Sequence, residues 1–397
     1  MSQSDAKSSL RPRTQAVHGG TMRSPFGETS EAMFLTSGYV YESAEAAEAR
    51  FKGEDDGFIY SRFANPTVRM FEERMIALEG AEDARATATG MAAVTAAMLC
   101  QLSAGDHVVA AKALFGSCRY IVEELLPRFG IESTLIEGTD LSQWEAAVRP
   151  NTKVFFLETP SNPTLEIIDL KSVTDIAHNA GARVVVDNVF ATPVLQRPME
   201  YGVDVVVYSA TKHIDGQGRC LGGIVLADQA FIDDHLANFL RQTGPSLSPF
   251  NAWVMLKSLE TLDLRVREHC RNARCVAQAL EGSSKVLRTI YPGLKSHPQY
   301  KLAMDQMDLG GNIVAFELDG GKDAAFRFAN ALEIVSISNN LGDSKSLITH
   351  PTTTTHQRLD DAARAELGIT DGLLRLSVGL EDPADLVDDI NRALGVS

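Results

Sequence analysis

An aspartate and a lysine each stand at the end of a strongly apolar run in the sequence. Asp187 closes the run 183–187, and Lys212 comes just after the run 204–209. Runs without polar alternation predict central strands of a mostly parallel sheet, buried on both faces. In an open α/β sheet, ligands lie beyond the carboxyl ends of the strands, so both side chains can reach one crevice. A plain salt bridge between them is the alternative interpretation.

Residues that suit an anion lie close to this pair in the predicted fold. Ser209 and Thr211 place two hydroxyl groups just before Lys212. The predicted helix 91–102 opens with a cluster of small residues, Ala88-Thr89-Gly90-Met91-Ala92-Ala93. A helix N-terminus offers free N–H groups and the positive end of the helix dipole to a phosphate. An ordinary helix start is the alternative interpretation of the cluster.

Taken together, these groups match the needs of the cofactor pyridoxal-5′-phosphate (PLP). PLP needs a lysine that bonds to its aldehyde, a carboxylate that keeps its pyridine nitrogen protonated, and donors for its phosphate. We therefore predict that Lys212 carries PLP and that Asp187 contacts the pyridine nitrogen. The sequence has no G-x-x-x-x-G-K-[ST] loop for a nucleoside triphosphate, no strand–G-x-G-x-x-G–helix unit for a dinucleotide and no H-E-x-x-H motif. No metal is expected.

Apolar runs alternate with helical patterns over most of the chain, which predicts an α/β fold. Strands are predicted at 107–111, 133–136, 154–158, 183–187, 204–209 and 223–227. Helices are predicted around them at 67–79, 91–102, 117–129, 141–148, 170–180 and 198–202. Long helical patterns follow at 231–241 and 249–280. Beyond about residue 260, a smaller C-terminal α/β unit is indicated by strands at 286–290, 312–318 and 373–378 that flank helices at 323–332 and 383–394.

These patterns divide the chain into three parts. Residues 1–59 contain turn signals and one short helix, at 44–52, and form an N-terminal arm that needs another surface to lie on. Residues 60–259 form the PLP-binding domain, which holds the predicted parallel sheet. Residues 260–397 form the smaller C-terminal domain.

The composition limits the partners and the compartment. A net charge of −15 and a pI of about 5.1 argue against nucleic acid, which favours a basic face. The five cysteines include no C-x-x-C pair, so reduced thiols in a cytoplasm are expected rather than disulfides or zinc. Residues 1–15 lack the apolar core of a signal peptide. No stretch reaches the roughly 18 apolar residues of a membrane span, so no membrane contact is expected.

Six segments resemble the Cys/Met-metabolism family of PLP enzymes, which includes cystathionine synthases and lyases, methionine γ-lyase and the homoserine-ester sulfhydrylases. The segments occur in the family's order and extend over nearly the whole chain. They are Tyr60-Ser61-Arg62-Phe63-Ala64-Asn65-Pro66-Thr67, Thr89-Gly90-Met91-Ala92-Ala93, Glu158-Thr159-Pro160-Ser161-Asn162-Pro163, Val186-Asp187-Asn188, Tyr208-Ser209-Ala210-Thr211-Lys212-His213 and Arg375-Leu376-Ser377-Val378-Gly379-Leu380-Glu381-Asp382.

The resemblance implies the aspartate-aminotransferase-like fold, type I, with a mostly parallel central sheet and a smaller C-terminal α/β domain. It also implies a homotetramer of two tight dimers. Within the site, it implies that Lys212 bonds PLP and moves protons and that Asp187 binds the pyridine nitrogen. Arg375, with backbone groups near Asn340, is implied to bind the α-carboxylate of an amino-acid substrate.

The resemblance further implies how PLP is held. Asn162 supports an oxygen of the cofactor. Tyr60 and Arg62 reach the phosphate in the neighbouring subunit, so that active sites are shared across the tight dimer. Within one subunit, the phosphate is held by Gly90, Met91, Ser209 and Thr211.

Phe115 departs from the lyases of the family, which usually carry tyrosine at this position. Phenylalanine keeps the stacking on the PLP ring but has no phenol that could donate a proton. The segments Leu114-Phe115-Gly116-Ser117 and Ser338-Asn339-Asn340-Leu341-Gly342-Asp343 resemble the branch of the family that acts on O-succinylhomoserine with sulfide.

The resemblance therefore implies a γ-replacement that gives homocysteine and succinate in methionine biosynthesis. Within the family, the alternatives are a cystathionine γ-synthase, an O-acetylhomoserine sulfhydrylase and a γ-lyase. From another class, a PLP-binding protein without catalytic activity also stays open.

Overall fold

The computed structural model describes residues 10–397. Residues 1–9, which begin the predicted arm and make up most of the segment compared with a signal peptide, lie outside the described residues. Within the described part, the chain forms a seven-stranded and a five-stranded sheet, each packed against helices.

The larger sheet consists of β1 (Asp83–Thr87), β2 (His107–Ala111), β3 (Glu132–Ile136), β4 (Thr152–Glu158), β5 (Arg183–Asp187), β6 (Val205–Ser209) and β7 (Gly223–Ala227). Their order across the sheet is β1-β7-β6-β5-β4-β2-β3. Strands β2 to β6 pair in parallel, whereas β7 runs antiparallel to its neighbours β1 and β6. The predicted mostly parallel sheet is confirmed.

Strand β1 was not predicted from the sequence, because its residues alternate alanine with charged or polar side chains rather than forming a β-branched apolar run. Its pairing with β7 places Arg85 opposite Val225, far away in the chain. Asp83 also accepts hydrogen bonds from Arg69 at 2.7 Å and from Arg85 at 2.5 Å. This strand therefore depends on tertiary partners that local pattern does not reveal.

Helices cover both faces of the larger sheet. They are Pro12–His18, Ala44–Lys52, Pro66–Glu79, Gly90–Leu99, Gly116–Tyr120, Leu141–Ala146, Leu170–Asn179, Thr192–Leu195, Gln229–Phe231, Ala237–Thr243 and Pro249–Leu259. In β5, Val184 and Val186 enter one apolar cluster, while Val185 enters the cluster on the other face. The sheet is thus buried on both sides, as alternating side-chain directions require.

The smaller sheet contains β8 (Val286–Ile290), β9 (Ile313–Leu318), β10 (Ser336–Ile337), β11 (Leu347–Thr349) and β12 (Leu373–Ser377), in the order β10-β11-β12-β9-β8. Its helices are Leu262–Glu281, Tyr300–Gln306, Gly321–Ala331, Asp361–Glu366 and Pro383–Val396. Strands β10 and β11, of two and three residues, were not predicted because such short segments carry no periodic signal. Across residues 10–397, every helix is too short or too polar to cross a bilayer.

The single helix predicted at 249–280 is wrong. The chain forms two helices there, which end at Leu259 and begin at Leu262, with Thr261 at φ −112° and ψ 4° between them. Carbonyl oxygens near the break accept hydrogen bonds from arginine side chains: Leu256 from Arg74 at 3.1 Å, and Ser258 from Arg265 at 3.0 Å. Both arginines lie outside the helix that ends at Leu259, so the break involves contacts that periodicity along the chain does not show.

Part of the N-terminal arm is anchored to its own chain by a buried ion pair. Arg74 is fully buried and donates to Glu31 at 2.8 Å and to the carbonyl of Gly19 at 3.0 Å. Lys257 contacts the other oxygen of Glu31 at 3.0 Å. Burial alone would raise the pKa of Glu31, but hydrogen bonds from Arg74 and Lys257 outweigh burial and lower it to about 2.

We predict that Arg74→Met lowers the unfolding midpoint by roughly 4–6 °C at pH 7, because removing one member of a buried pair leaves a charge poorly compensated. The depressed pKa of Glu31 means that this stabilisation is present above its ordinary pKa of 4.5 and is lost as the pH falls toward 2. The difference between wild type and variant should therefore shrink over that range. Thermal unfolding followed by circular dichroism measures it, with Arg271→Met, from an exposed pair with Glu268, as the control. Equal midpoints for wild type and Arg74→Met would contradict the anchoring role.

Candidate active site

A cavity of about 400 Å³ lies at the carboxyl ends of β4, β5 and β6. The N-terminus of the helix Gly90–Leu99 forms one wall and β12 of the smaller sheet another. The lining residues are Thr89, Gly90, Met91, Val94, Phe115, Glu158, Asn162, Asp187, Val189, Phe190, Ser209, Thr211, Lys212, Leu221, Asn339, Leu341, Thr355 and Arg375. Most of the predicted site residues are therefore brought together in one place.

Lys212 lies in the turn that follows β6. Its backbone N–H donates to Ser209 at 3.2 Å, and its Nζ donates to Oδ1 of Asn340 at 2.5 Å. Burial and the nearby Arg375 cation lower the pKa of Lys212 to about 8, although Asp187 acts in the opposite direction. Asn340 does not line the cavity itself but contacts the lysine that does.

Asp187 ends β5 and accepts a hydrogen bond from the N–H of Val189 at 3.1 Å. Burial raises its pKa to about 6, against the opposing effects of the Val189 N–H and the Lys212 cation. The Lys212 amine bonds to Asn340 rather than to this carboxylate, so the pair is not the plain salt bridge that the sequence left open. A buried carboxylate of this kind suits a protonated ring nitrogen.

The helix start that the sequence predicts to hold a phosphate lies at the cavity wall, where the helix Gly90–Leu99 begins. The hydroxyl of Thr89 caps this helix by accepting from Ala92 N–H at 3.1 Å. The first N–H groups of a helix have no partner within the helix, so those of Gly90 and Met91 are available to an anion. A Cβ at Gly90 would lie 2.5 Å from Cβ of Ser209, so only glycine allows this close approach.

The hydroxyl of Thr211 also lies at this wall. In the structure it accepts from Gly222 N–H at 3.1 Å and lies 3.3 Å from the Gly222 carbonyl. The second contact is long for an O–H donor, so its proton can turn toward another acceptor.

Arg375, on β12, is a cation buried to 2 % exposure at the opposite wall. Its two Nη atoms donate to Oδ1 of Asn162 at 2.9 Å and to the carbonyl of Asn339 at 2.8 Å. Its Nε is buried without a hydrogen-bond partner among residues 10–397. Burial lowers its pKa to about 10, while Glu158 opposes this effect. A substrate carboxylate would supply the missing acceptor.

Glu158 is a cavity residue to which the sequence analysis assigned no role. It ends β4 directly beside Asp187 in the strand register, and its Oε2 accepts the N–H of Phe115 at 2.9 Å. Burial and the neighbouring Asp187 raise the pKa of Glu158 well above its usual range. Its position at a strand end next to Asp187 was a usable signal, because parallel strands end at one edge of the sheet.

Tyr60 and Arg62 do not line this cavity. Both are exposed, and Arg62 donates to the backbone carbonyl of Arg241. Arg62 borders a separate cavity of about 290 Å³, and both residues border a second, shallower depression. Within residues 10–397, no group of three or more His, Cys, Asp or Glu side chains is placed to hold a metal ion.

Comparison with known proteins identifies the family. A family model described as "Cys/Met metabolism PLP-dependent enzyme" matches residues 13–395. The chain belongs to this family. It is 54 % identical over 385 residues to an O-succinylhomoserine sulfhydrylase from Mycobacterium tuberculosis, covering 96 % of this chain and 95 % of the relative. An L-methionine gamma-lyase from Porphyromonas gingivalis is 42 % identical, with 96 % of each chain covered.

A solved structure carries the same fold. A Campylobacter jejuni protein that contains an N′-pyridoxyl-lysine-5′-monophosphate residue superposes with a TM-score of 0.93 and 32 % identity, covering 97 % of this chain and 100 % of the other. The chain is thus a PLP-dependent enzyme of type I fold, as predicted. Its own residues fit the cofactor: a desolvated lysine, a buried carboxylate and a helix start where a Cβ has no room.

The cradle leads to a prediction about cofactor affinity. Gly90→Ala should weaken PLP binding by at least about 10-fold, because the new methyl group meets Ser209 and must displace it from the anion site. Titration of the cofactor-free protein with PLP, followed by absorbance, measures the dissociation constant. Gly395→Ala is the matched control, since nothing lies within 4 Å of its Cβ position. Unchanged affinity in Gly90→Ala would show that the phosphate is bound elsewhere.

Proposed function

We propose that this enzyme replaces the succinyl group of O-succinylhomoserine with sulfide, giving homocysteine and succinate. In the net reaction, the Cγ–O bond to succinate breaks, a Cγ–S bond forms, and the protons of hydrogen sulfide are shared between the products. The observation that carries the proposal is the 54 % identity to an O-succinylhomoserine sulfhydrylase over nearly the full length. Phe115 and the Asn339-Asn340 pair at the cavity, which resemble the same branch, support it.

PLP, when bound, acts as an electron sink that lets protons leave the carbon atoms of the amino acid and lets the γ-substituent depart. The residues proposed to hold PLP line the cavity, except for Tyr60 and Arg62, which lie at the surface. Lys212 would bond its aldehyde, Asp187 would contact its pyridine nitrogen and Asn162 its ring oxygen, while Phe115 would pack against the ring. Gly90, Met91, Ser209 and Thr211 would bind the phosphate.

Lys212 is proposed to move protons between Cα and Cβ of the substrate. Its lowered pKa, about 8, leaves part of the amine neutral near neutral pH and able to accept a proton. Its Nζ is held by Asn340, on a loop whose backbone carbonyls contact Arg375. Lys212 and Arg375 are thus both held by hydrogen bonds to the same loop, at Asn339 and Asn340.

Arg375 is proposed to bind the α-carboxylate of the substrate. Its unpartnered Nε and its distance from solvent make a charge-assisted hydrogen bond there strong, and the two Nη bonds keep the guanidinium from turning. Orientation of this kind places Cα within reach of Lys212. Glu158 holds the backbone of Phe115 and thereby the ring that faces the cavity.

The proposed nucleophile is sulfide rather than cysteine. Sulfide is small, whereas cysteine brings a carboxylate and an ammonium group that need partners when they leave water. The cationic side chains that line the cavity are Lys212 and Arg375, and both are assigned above. The proposal is tested against three other activities of the family: cystathionine synthesis, use of the acetyl ester and γ-elimination.

We further propose a cytoplasmic homotetramer built from two tight dimers, with residues 1–59 as an arm, 60–259 as the PLP-binding domain and 260–397 as the C-terminal domain. In each tight dimer, Tyr60 and Arg62 of one subunit complete the phosphate site of the other. Their exposure and their absence from the cavity of their own chain support this arrangement.

The reaction is tested with purified enzyme and PLP. O-succinylhomoserine with sulfide should give homocysteine, with a kcat/KM at least about 10-fold above that for cysteine as nucleophile, because cysteine must bury two unpaired charges. The four combinations of succinyl or acetyl ester with sulfide or cysteine are compared by product analysis. Efficient formation of cystathionine would indicate a synthase, and preference for the acetyl ester would mean that acetyl is the natural leaving group. Release of an α-keto acid would indicate a lyase, and the absence of any turnover would indicate a protein without catalytic activity.

Sharing of the site is tested by mixing two inactive variants. Lys212→Ala and Arg62→Ala homo-oligomers should each be inactive, whereas an isolated hybrid dimer should recover activity, because one of its two sites receives both wild-type residues. Differently tagged subunits, purified as a hybrid, allow the measurement. A verified hybrid that stays inactive would contradict sharing across the interface.

A further inference from the structure

The cavity lacks a cation for one charge of the proposed substrate. O-succinylhomoserine carries two carboxylates, the α-carboxylate and the distal carboxylate of the succinyl group. Among the lining residues, Lys212 and Arg375 are the cations, and the reaction uses both. Much of the remaining wall is apolar, as at Val189, Leu221 and Leu341. A carboxylate in such surroundings is costly unless it is paired, so a third cation is needed.

Next to Arg62 lies an exposed arginine that forms no ion pair with an acid among residues 10–397. Arg241 is in the last turn of the helix Ala237–Thr243, and its backbone carbonyl accepts a hydrogen bond from Arg62. The guanidinium carbons of Arg62 and Arg241 lie 4.9 Å and 4.7 Å from the centre of the Phe63 ring. Both cations therefore contact the same aromatic ring.

This pair of cations is arranged for an external anion. In the part of the chain that the structure describes, the ion pairs of the same region go to Arg69 and Arg85, which contact Asp83, and not to Arg62 or Arg241. Stacking on Phe63 occupies the faces of the guanidinium groups and leaves N–H groups at their edges free. Two unneutralised charges that contact one ring repel each other, and an anion bound to each would remove that repulsion.

We propose that Arg241 of one subunit binds the distal carboxylate of O-succinylhomoserine in the active site of the neighbouring subunit, and thereby sets the preference for the succinyl ester. This inference rests on the proposed function and on the proposed sharing of sites. If Arg62 enters the neighbouring site to bind the phosphate, Arg241 enters with it, because both are fixed to Phe63. Arg62 then serves the phosphate and Arg241 the second anion.

A rival cation exists on the chain that owns the cavity. Arg119 follows Phe115 on the helix Gly116–Tyr120, but it forms a two-pronged contact with Glu123 at 2.8 and 2.9 Å. A guanidinium already neutralised in this way is a poorer partner for a further carboxylate than Arg241, which has no acid beside it. Arg119 is therefore the alternative that the experiment must distinguish.

The first test compares donors. Arg241→Gln should lower kcat/KM for O-succinylhomoserine by roughly 10- to 100-fold, the range expected for loss of a charge-assisted hydrogen bond, and leave O-acetylhomoserine within about 2-fold. Calorimetry on the PLP-bound enzyme should show weaker binding of succinate and unchanged binding of acetate. Arg128→Gln, which removes an arginine that stacks on Tyr120 and contacts Glu124, is the control. It should change neither the ratio of kcat/KM for the two donors nor the binding of succinate relative to acetate. An unchanged donor ratio in Arg241→Gln, or its loss in Arg119→Gln instead, would overturn the assignment.

The second test asks which subunit supplies the arginine. In an isolated hybrid of Lys212→Ala with Arg241→Gln, the site that keeps Lys212 faces the chain that keeps Arg241. The hybrid should regain the wild-type preference for the succinyl ester. A hybrid with the preference of Arg241→Gln would show that the residue acts within its own subunit, which contradicts the proposal. A wild-type enzyme without activity on O-succinylhomoserine would overturn the proposed function. An active wild-type enzyme whose donor preference does not depend on Arg241 would overturn only the assignment of Arg241.

Discussion

The buried cation of Arg375 is the interaction on which the site depends. It lies on the smaller sheet, yet its side chain donates to Asn162, in the segment that follows β4 of the larger sheet, and to the carbonyl of Asn339. One guanidinium group thus joins the two sheets at the cavity and fixes the loop that carries Asn340. Because Asn340 in turn accepts from Lys212, the position of the reactive amine depends on the same cation.

Desolvation gives the charges of this crevice their properties. Burial lowers the pKa of Lys212 to about 8 and raises that of Asp187 to about 6. The charged form of each group is therefore less stable here than in water. A cofactor with a protonated ring nitrogen would give Asp187 an opposite charge, and a substrate carboxylate would do the same for Arg375. Asp187 and Arg375 would therefore each gain a counter-charge, and be more stable in their charged forms, with cofactor and substrate bound.

The outer surface shows the opposite arrangement. Arg62 and Arg241 are exposed and form no ion pair with any acid among residues 10–397, while Leu35 and Val40 nearby are 67 % and 95 % exposed. Apolar and cationic groups that a chain leaves unpaired in this way are typical of a surface that meets another molecule. The ion pair of Arg74 with Glu31 fixes the middle of the proposed arm, a few residues before Leu35.

By itself, the sequence determined the strands that place Asp187 and Lys212, the presence of a helix that begins within one residue of Gly90, and the family. Each depends on local patterns: apolar runs, small residues before a helix, and short motifs in order. It did not reveal β1, the break before Leu262 or the part played by Glu158. These features depend on residues far apart in the chain, such as the pairing of β1 with β7 and the order that sets β4 beside β5. The contact of Arg375 with Asn162 and the joint stacking of Arg62 and Arg241 on Phe63 were likewise decided by tertiary structure alone, since no spacing along a chain specifies which distant side chains meet.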